Sequence, residues 1–124
     1  MSASDPETIL NQYKQMGIEC SNIAAKVQEL NNEKEEHRLV VEQLSKLQGD
    51  RRAYRLIGGV LVEKTVGELT PIVKENLEGI KQIITTLSTQ LDQKDEKRRK
   101  FKEEHGIMTQ EEREKKLKAE QARS

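Results

Sequence analysis

Apolar side chains recur at heptad spacing along the first third of the chain. From Ile9 onward, successive apolar positions are separated by alternating steps of four and three residues, the spacing of a coiled-coil seam. Asp5 can cap such a helix, with Ser4 as an alternative cap, and Pro6 suits its first position. The seam comprises Ile9, Tyr13, Met16, Cys20, Ile23, Val27, Leu30, Lys34, His37, Val41 and Leu44. We therefore predict a helix over residues 5–48.

The heptad pattern stops at residues 53–65, where two runs rich in branched and apolar side chains flank Gly58-Gly59. Such a link is a strong hairpin signal, because glycine adopts the positive φ angles of a type I′ turn. The predicted pairs are Ile57 with Val60, Leu56 with Leu61, Arg55 with Val62, and Tyr54 with Glu63. Both faces would be partly apolar, and a lone hairpin is only marginally stable in water. We therefore expect this hairpin to pair with strands of other chains.

A second helix is predicted over residues 66–105. Thr65 and Glu68 have the spacing of a capping box, and we expect a break or kink at residues 67–71 because Pro71 lacks an amide hydrogen. The second seam comprises Val73, Leu77, Ile80, Ile84, Leu87, Leu91, Lys94, Arg98, Phe101, His105 and Met108. Two seams joined by a short hairpin predict a mainly α fold, a long antiparallel two-helix coiled coil with one central β-hairpin.

The seams match best when Leu44 faces Leu77. The further facing pairs are then Ile23 with Arg98, Cys20 with Phe101, and Met16 with His105. Gly106 is a stop signal for the second helix, so the coiled-coil domain should cover residues 1–108. The charged stretch 109–124 is predicted to be a frayed helix or a disordered tail.

Composition narrows the class of protein. The chain of 124 residues is 35% charged and only 2% aromatic, which is typical of exposed helices and too polar for one compact core. Lys plus Arg and Asp plus Glu each number 22, so we expect no general polyanion binding. The start of the chain lacks the pattern of a signal peptide, and no apolar stretch approaches the roughly 18 residues of a membrane span. We expect a soluble, cytoplasmic protein, with the nucleus as a second compartment, and no membrane partner.

No arrangement of residues predicts an enzyme, a metal site or a cofactor site. His37 and His105 lie on the seams, and Cys20 is a small seam residue with no adjacent base. The basic stretch 97–100 is flanked by acidic residues and resembles a solvated helix face. A nucleic-acid-binding arm would require salt-sensitive binding through that stretch, and we do not expect a nucleic-acid partner.

The outer end of the two helices has two explanations. Its apolar side chains would face charged or polar residues of the other seam, which describes either a fraying coiled-coil end or a deformable clamp for varied partners. The clamp residues would be Ile9, Tyr13, Met16, Ile107 and Met108. We call this group the tip residues.

The order helix, single hairpin, helix resembles the beta-type prefoldin subunits. The hairpin sequence AYRLIGGVLVEKTV at residues 53–66 is similar to that of the eukaryotic subunit 2 group, as are Asn11-Gln-Tyr13 and the FKEEH sequence at residues 101–105. The resemblance covers about residues 8–108. It implies that the hairpin joins an intersubunit β-barrel through the assembly residues Tyr54, Leu56, Ile57, Val60, Leu61 and Val62.

The resemblance also implies a function. The family forms hexamers of two alpha-type and four beta-type subunits, which capture unfolded proteins, notably actin and tubulin, without ATP and deliver them to the cytosolic chaperonin. The tip residues fall where this family holds its clients. The alternative is a structural coiled-coil adaptor that assembles through its hairpin and holds one fixed partner.

Overall fold

A computed structural model describes residues 5–123. The elements are α1 (Pro6–Ser45), β1 (Arg52–Ile57), β2 (Val60–Thr65), α2 (Val66–Glu104) and α3 (Gln110–Arg123). The two long helices pack together and a central antiparallel hairpin joins them, so the predicted fold class is confirmed. Ser4, the alternative cap of the first helix, lies outside the described residues.

Asp5 caps α1 as predicted. Its Oδ1 accepts the amide of Glu7 at 3.3 Å, and its backbone carbonyl accepts the amide of Ile9 at 3.0 Å. The first of these bonds satisfies an amide that has no partner within the helix, and the second is the first i→i−4 bond of α1. At the other end α1 stops at Ser45, earlier than the predicted residue 48.

The hairpin has the predicted register. Ile57 pairs with Val60 and Leu56 with Leu61, and the next two predicted pairs are also present. Gly58 and Gly59 have φ values of 54° and 80°, the left-handed conformations that a type I′ turn requires at both central positions. Local turn chemistry therefore sets the strand alignment.

The start of α2 is held by the segment that follows α1. The amide of Val66 donates to the carbonyl of Arg51 at 2.8 Å, and the amide of Gly67 donates to the carbonyl of Gly49 at 2.9 Å. Glu68 donates its amide to Thr65 Oγ1 at 3.2 Å, as predicted for the cap. A Cβ at Gly67 would lie 3.2 Å from the Gly49 oxygen, so glycine permits this close approach.

Of the break or kink predicted at residues 67–71, the break is absent, because α2 is continuous from Val66 and contains Pro71. The seam of α2 therefore begins earlier than predicted, with Val66, Leu69 and Val73 all buried. These three residues form a core cluster with Leu44. Leu44 therefore packs against the beginning of α2, whereas we predicted that it would face Leu77.

The predicted register between the helices is also wrong. Arg98 lies against Tyr13 and Gly17, whereas we expected it opposite Ile23. The thiol of Cys20 lies beside Asp95 rather than Phe101. The displacement is about two helical turns, and it follows from the early start of α2.

The chain divides into two units. The hairpin unit is Ile23–Thr89, and the terminal unit is Met1–Asn22 with Gln90–Ser124. In the hairpin unit, Val41 and Ala53 pack against the buried aliphatic cluster. In the described part of the terminal unit, the one buried apolar side chain is that of Cys20.

The C-terminal stretch forms a helix. Gly106 ends the preceding helix with a φ of 60°, and the amide of Ile107 donates to the carbonyl of Lys102 at 3.0 Å. This is the hydrogen bond of a Schellman motif, so Gly106 acts as predicted. Thr109 then caps α3 by accepting the amide of Glu112 at 3.2 Å.

Candidate functional site

One face of the hairpin carries an exposed apolar patch beside the ion pair of Arg52 with Glu63. Tyr54, Leu56 and Leu61 share this face, and they expose 62%, 69% and 64% of their surface. The opposite face is covered where Ala53 packs on the aliphatic cluster. Large apolar side chains that are adjacent and exposed indicate a surface that another protein covers.

The remaining assembly residues lie on the other face. Ile57 and Val60, beside the turn, are exposed, whereas Val62 is half-buried. Among the described residues the sheet contains only β1 and β2, so the outer edge of each strand has no strand partner. Unpaired edges next to an exposed apolar face are suited to strand pairing with another chain.

All of the tip residues are half-buried. The best-defined contact among them is that of Tyr13 with Arg98, whose guanidinium carbon lies 4.0 Å from the centroid of the tyrosine ring. Arg98 Nε also donates to the backbone carbonyl of Tyr13 at 3.3 Å. A cation therefore covers one face of an apolar ring in the terminal unit.

Gly17 makes room for that cation. A Cβ at this position would lie 2.6 Å from Arg98 Nη2. The sequence shows Gly17 only as a weak point in a helix, since glycine costs roughly 1 kcal/mol relative to alanine. In the structure, the absence of a side chain at Gly17 leaves the space that the Arg98 guanidinium fills.

Lys102 and Glu112 form an ion pair that sequence reasoning missed. The Lys102 ammonium donates to Glu112 Oε1, which also accepts from the Thr109 hydroxyl at 3.1 Å. The hydrogen bond from Lys102 lowers the pKa of Glu112, and the same bond raises the pKa of Lys102. The spacing Thr109-x-x-Glu112 is a capping-box signal that could have revealed α3.

The surroundings of Cys20 and His37 indicate structural roles and not catalytic ones. Burial raises the pKa of the Cys20 thiol, and Asp95 raises it further, so the nucleophilic thiolate is disfavoured. His37 Nδ1 lies 2.8 Å from the carbonyl of Glu33. Within residues 5–123, no group of three or more His, Cys, Asp or Glu side chains is placed to hold a metal ion. None of the helices described there has the length and hydropathy of a membrane span.

Two of the four cations in the basic stretch 97–100, Arg99 and Lys100, pair with carboxylates. Arg99 contacts Glu96 at 2.5 Å and Glu103 at 2.8 Å, and Lys100 lies 4.0 Å from Glu96. These pairs raise the pKa of Arg99 and lower that of Glu96. The arrangement supports the prediction of a solvated helix face with paired charges.

Comparisons with known proteins agree with this arrangement. The family described as "Prefoldin subunit" matches residues 7–121. Prefoldin subunit 2 of Rattus norvegicus is 39% identical over 105 residues, covering 85% of this chain and 68% of that protein. The probable prefoldin subunit 2 of Schizosaccharomyces pombe is 35% identical over 104 residues, covering 84% and 91%.

A solved structure has the same fold. The prefoldin beta subunit from Thermococcus strain KS-1 matches with a TM-score of 0.73 at 19% identity, covering 85% of this chain and 94% of that one. This match agrees with a fold of two long helices and a central hairpin. Given the family match over most of the sequence and the identity to several relatives, the chain belongs to the prefoldin subunit family.

Proposed function

We propose that this prefoldin-family chain is a beta-type subunit of a hexamer containing two alpha-type and four beta-type subunits. The hexamer captures unfolded proteins such as actin and tubulin without ATP and delivers them to the cytosolic chaperonin. It acts in the cytoplasm, with the nucleus as a second compartment. The subunit itself has no catalytic role.

The observation that carries this proposal is the exposed apolar face of the hairpin. The side chains of Tyr54, Leu56 and Leu61 would not remain in water if a partner could cover them, since burial is worth roughly 25 cal/mol per Å². The unpaired strand edges provide backbone donors and acceptors for the same partner. Hairpins of other subunits, joined into a β-barrel, would satisfy both.

The tip residues are our candidates for client contact. They are half-buried, so each retains apolar surface that a non-native chain could cover. One tip would contribute about 1–2 kcal/mol per side chain and bind weakly. Several tips held by one platform would bind well, because the second contact benefits from a high effective concentration.

The proposal is tested with the complex formed by co-expression with partner subunits. Native mass spectrometry gives the subunit composition, and light scattering during dilution of denatured actin measures the suppression of aggregation. Replacing all five tip residues with serine should reduce suppression and leave the hexamer assembled. The partner subunits' tips are trimmed in the same way, so that they cannot compensate.

A control variant places serine at exposed apolar positions of the hairpin unit that lie outside the hairpin. These positions are Leu39, Val40, Leu47 and Ile83. The control variant should suppress aggregation as the unmodified complex does. An assembled complex that never suppresses aggregation would favour the fixed-partner adaptor, and full suppression by the tip variant would refute the tip clamp.

A further inference from the structure

Two cations lie one turn apart on α2 near its C-terminal end. Arg98 and Lys102 have the i, i+4 spacing that brings side chains together on one helix face. Arg98 lies on the ring of Tyr13 at 4.0 Å, and the side chain of Lys102 is only 27% exposed. Arg98 and the Tyr13 phenol are both close enough to influence the pKa of Lys102. The terminal unit therefore contains a partly desolvated cationic pair beside an aromatic ring.

A carboxylate from α3 contacts Lys102, one member of this pair. Glu112 accepts a hydrogen bond from Lys102, and among the described residues of α3 it is the only one that is even half-buried. The helix buries none of its side chains, and Leu117, its one large aliphatic residue, is 58% exposed. An element attached mainly through polar surface contacts can detach at little cost.

We propose that Arg98 and Lys102 form a binding site for acidic segments of unfolded polypeptide chains, and that Glu112 occupies this site while no client is bound. Ammonium and guanidinium groups form charge-assisted hydrogen bonds with carboxylates, and the adjacent Tyr13 ring offers apolar contact to a neighbouring side chain of the client. This inference rests on the proposed function of the tip and adds the chemistry that the tip selects.

Competition between Glu112 and an acidic client segment should weaken client binding by a predictable factor. When a ligand must displace a group of the protein itself, its apparent dissociation constant equals the intrinsic constant divided by the fraction of molecules in which the site is open. Breaking an ion pair at the protein surface shifts such an equilibrium by only about two- to fivefold. Glu112 would therefore moderate the affinity for acidic segments and would not block the site.

The test uses the assembled complex and two fluorescein-labelled peptides, one of repeated Glu-Glu-Phe and one of repeated Gln-Gln-Phe. Fluorescence anisotropy gives their dissociation constants. Glu112→Gln should tighten binding of the acidic peptide about two- to fivefold, and the gain should diminish as salt is added. The matched control is Glu111→Gln, the same charge change at an exposed position one residue earlier in α3. It should change nothing.

A second variant identifies the cation. Adding Lys102→Gln to Glu112→Gln should abolish the gain, whereas adding Lys100→Gln, at an exposed position that pairs with Glu96, should preserve it. Equal effects of Glu111→Gln and Glu112→Gln would overturn the proposal, as would equal tightening of the Gln-Gln-Phe peptide. If Glu112→Gln only accelerates amide exchange in α3, the ion pair is a structural contact and the proposal fails.

The same complexes separate this proposal from the proposed function. Assembly and suppression of actin aggregation are measured for each variant. If both are intact while the acidic peptide shows no response, only the acidic site is refuted. If the unmodified complex does not suppress aggregation, the chaperone function itself is refuted.

Discussion

The hairpin unit and the terminal unit hold their helices together by different means. In the hairpin unit, Leu44, Val66, Leu69 and Val73 form a buried aliphatic cluster. In the terminal unit, the contacts between the helices include a buried thiol, a cation that lies on an aromatic ring and bonds to a backbone carbonyl, and the ion pair of Lys94 with Glu19 at 3.4 Å. Aliphatic burial is worth more than exposed ion pairs, which contribute about 0–1 kcal/mol.

This difference suits the two tasks that we propose for the units. A surface that joins a fixed assembly needs a rigid base, and the aliphatic cluster lies directly beneath the hairpin through Ala53. A surface that holds unlike chains benefits from contacts that rearrange at low cost. We therefore expect slower amide exchange in the hairpin unit than in the terminal unit, because low local burial permits local opening.

The largest expected effect comes from the hairpin. Leu61→Asp places a charge on a face that we expect to be buried in the assembly, at a cost of several kcal/mol if the charge stays unpaired. The variant should fail to co-elute with its partner subunits in size-exclusion chromatography while retaining its helical circular dichroism. Ile83→Asp, on an exposed part of α2, is the control and should assemble. Normal incorporation of Leu61→Asp would refute the assembly role.

The next effect concerns the aliphatic cluster. Leu44→Ala removes buried methyl groups at a position that is 7% exposed, and such changes cost about 2–5 kcal/mol. Urea unfolding of the complex, followed by circular dichroism, should show the loss. Leu47→Ala, an exposed position one turn later, should change stability by less than about 0.5 kcal/mol. Equal costs at both positions would contradict the cluster.

Two glycines offer a matched comparison between the units. Gly79→Ala should stabilise α2 by about 0.5–1 kcal/mol, because a Cβ there meets nothing within 4 Å. Gly17→Ala should lose that gain, because its Cβ would displace Arg98 from Tyr13. Amide exchange around Tyr13 should therefore accelerate only in the second variant. The same stabilisation from both would show that Arg98 shifts without cost.

The smallest effect is expected at Cys20. Cys20→Ala should cost no more than about 1 kcal/mol and leave client holding unchanged, as a residue with a packing role requires. Burial raises the pKa of the thiol in the folded protein. The thiol's contribution to the free energy of unfolding is therefore fully present below the ordinary thiol pKa and is lost as the pH rises through the raised value. Urea unfolding above neutral pH should therefore depend less on pH in Cys20→Ala. Loss of client holding in an assembled variant would instead indicate direct contact or thiol chemistry.

Features set by neighbouring residues could be predicted from the sequence. The hairpin register follows from Gly58-Gly59, and the helix ends at Asp5 and Gly106 follow from their capping chemistry. Every position of the first seam, from Ile9 to Leu44, is buried or half-buried as its spacing predicts. These features depend on contacts within a few residues, which local patterns specify.

The pairing of the two helices was decided only in the tertiary structure. A heptad pattern repeats every seven residues, so a shift of about two turns leaves apolar positions opposite apolar positions. What selects among these registers is the start of α2, where the amides of Val66 and Gly67 bond to the carbonyls of Arg51 and Gly49. The contacts of Arg98 with Tyr13 and of Lys102 with Glu112 depend on chain segments brought together by that register and by the turn at Gly106. Spacing along one helix cannot specify them.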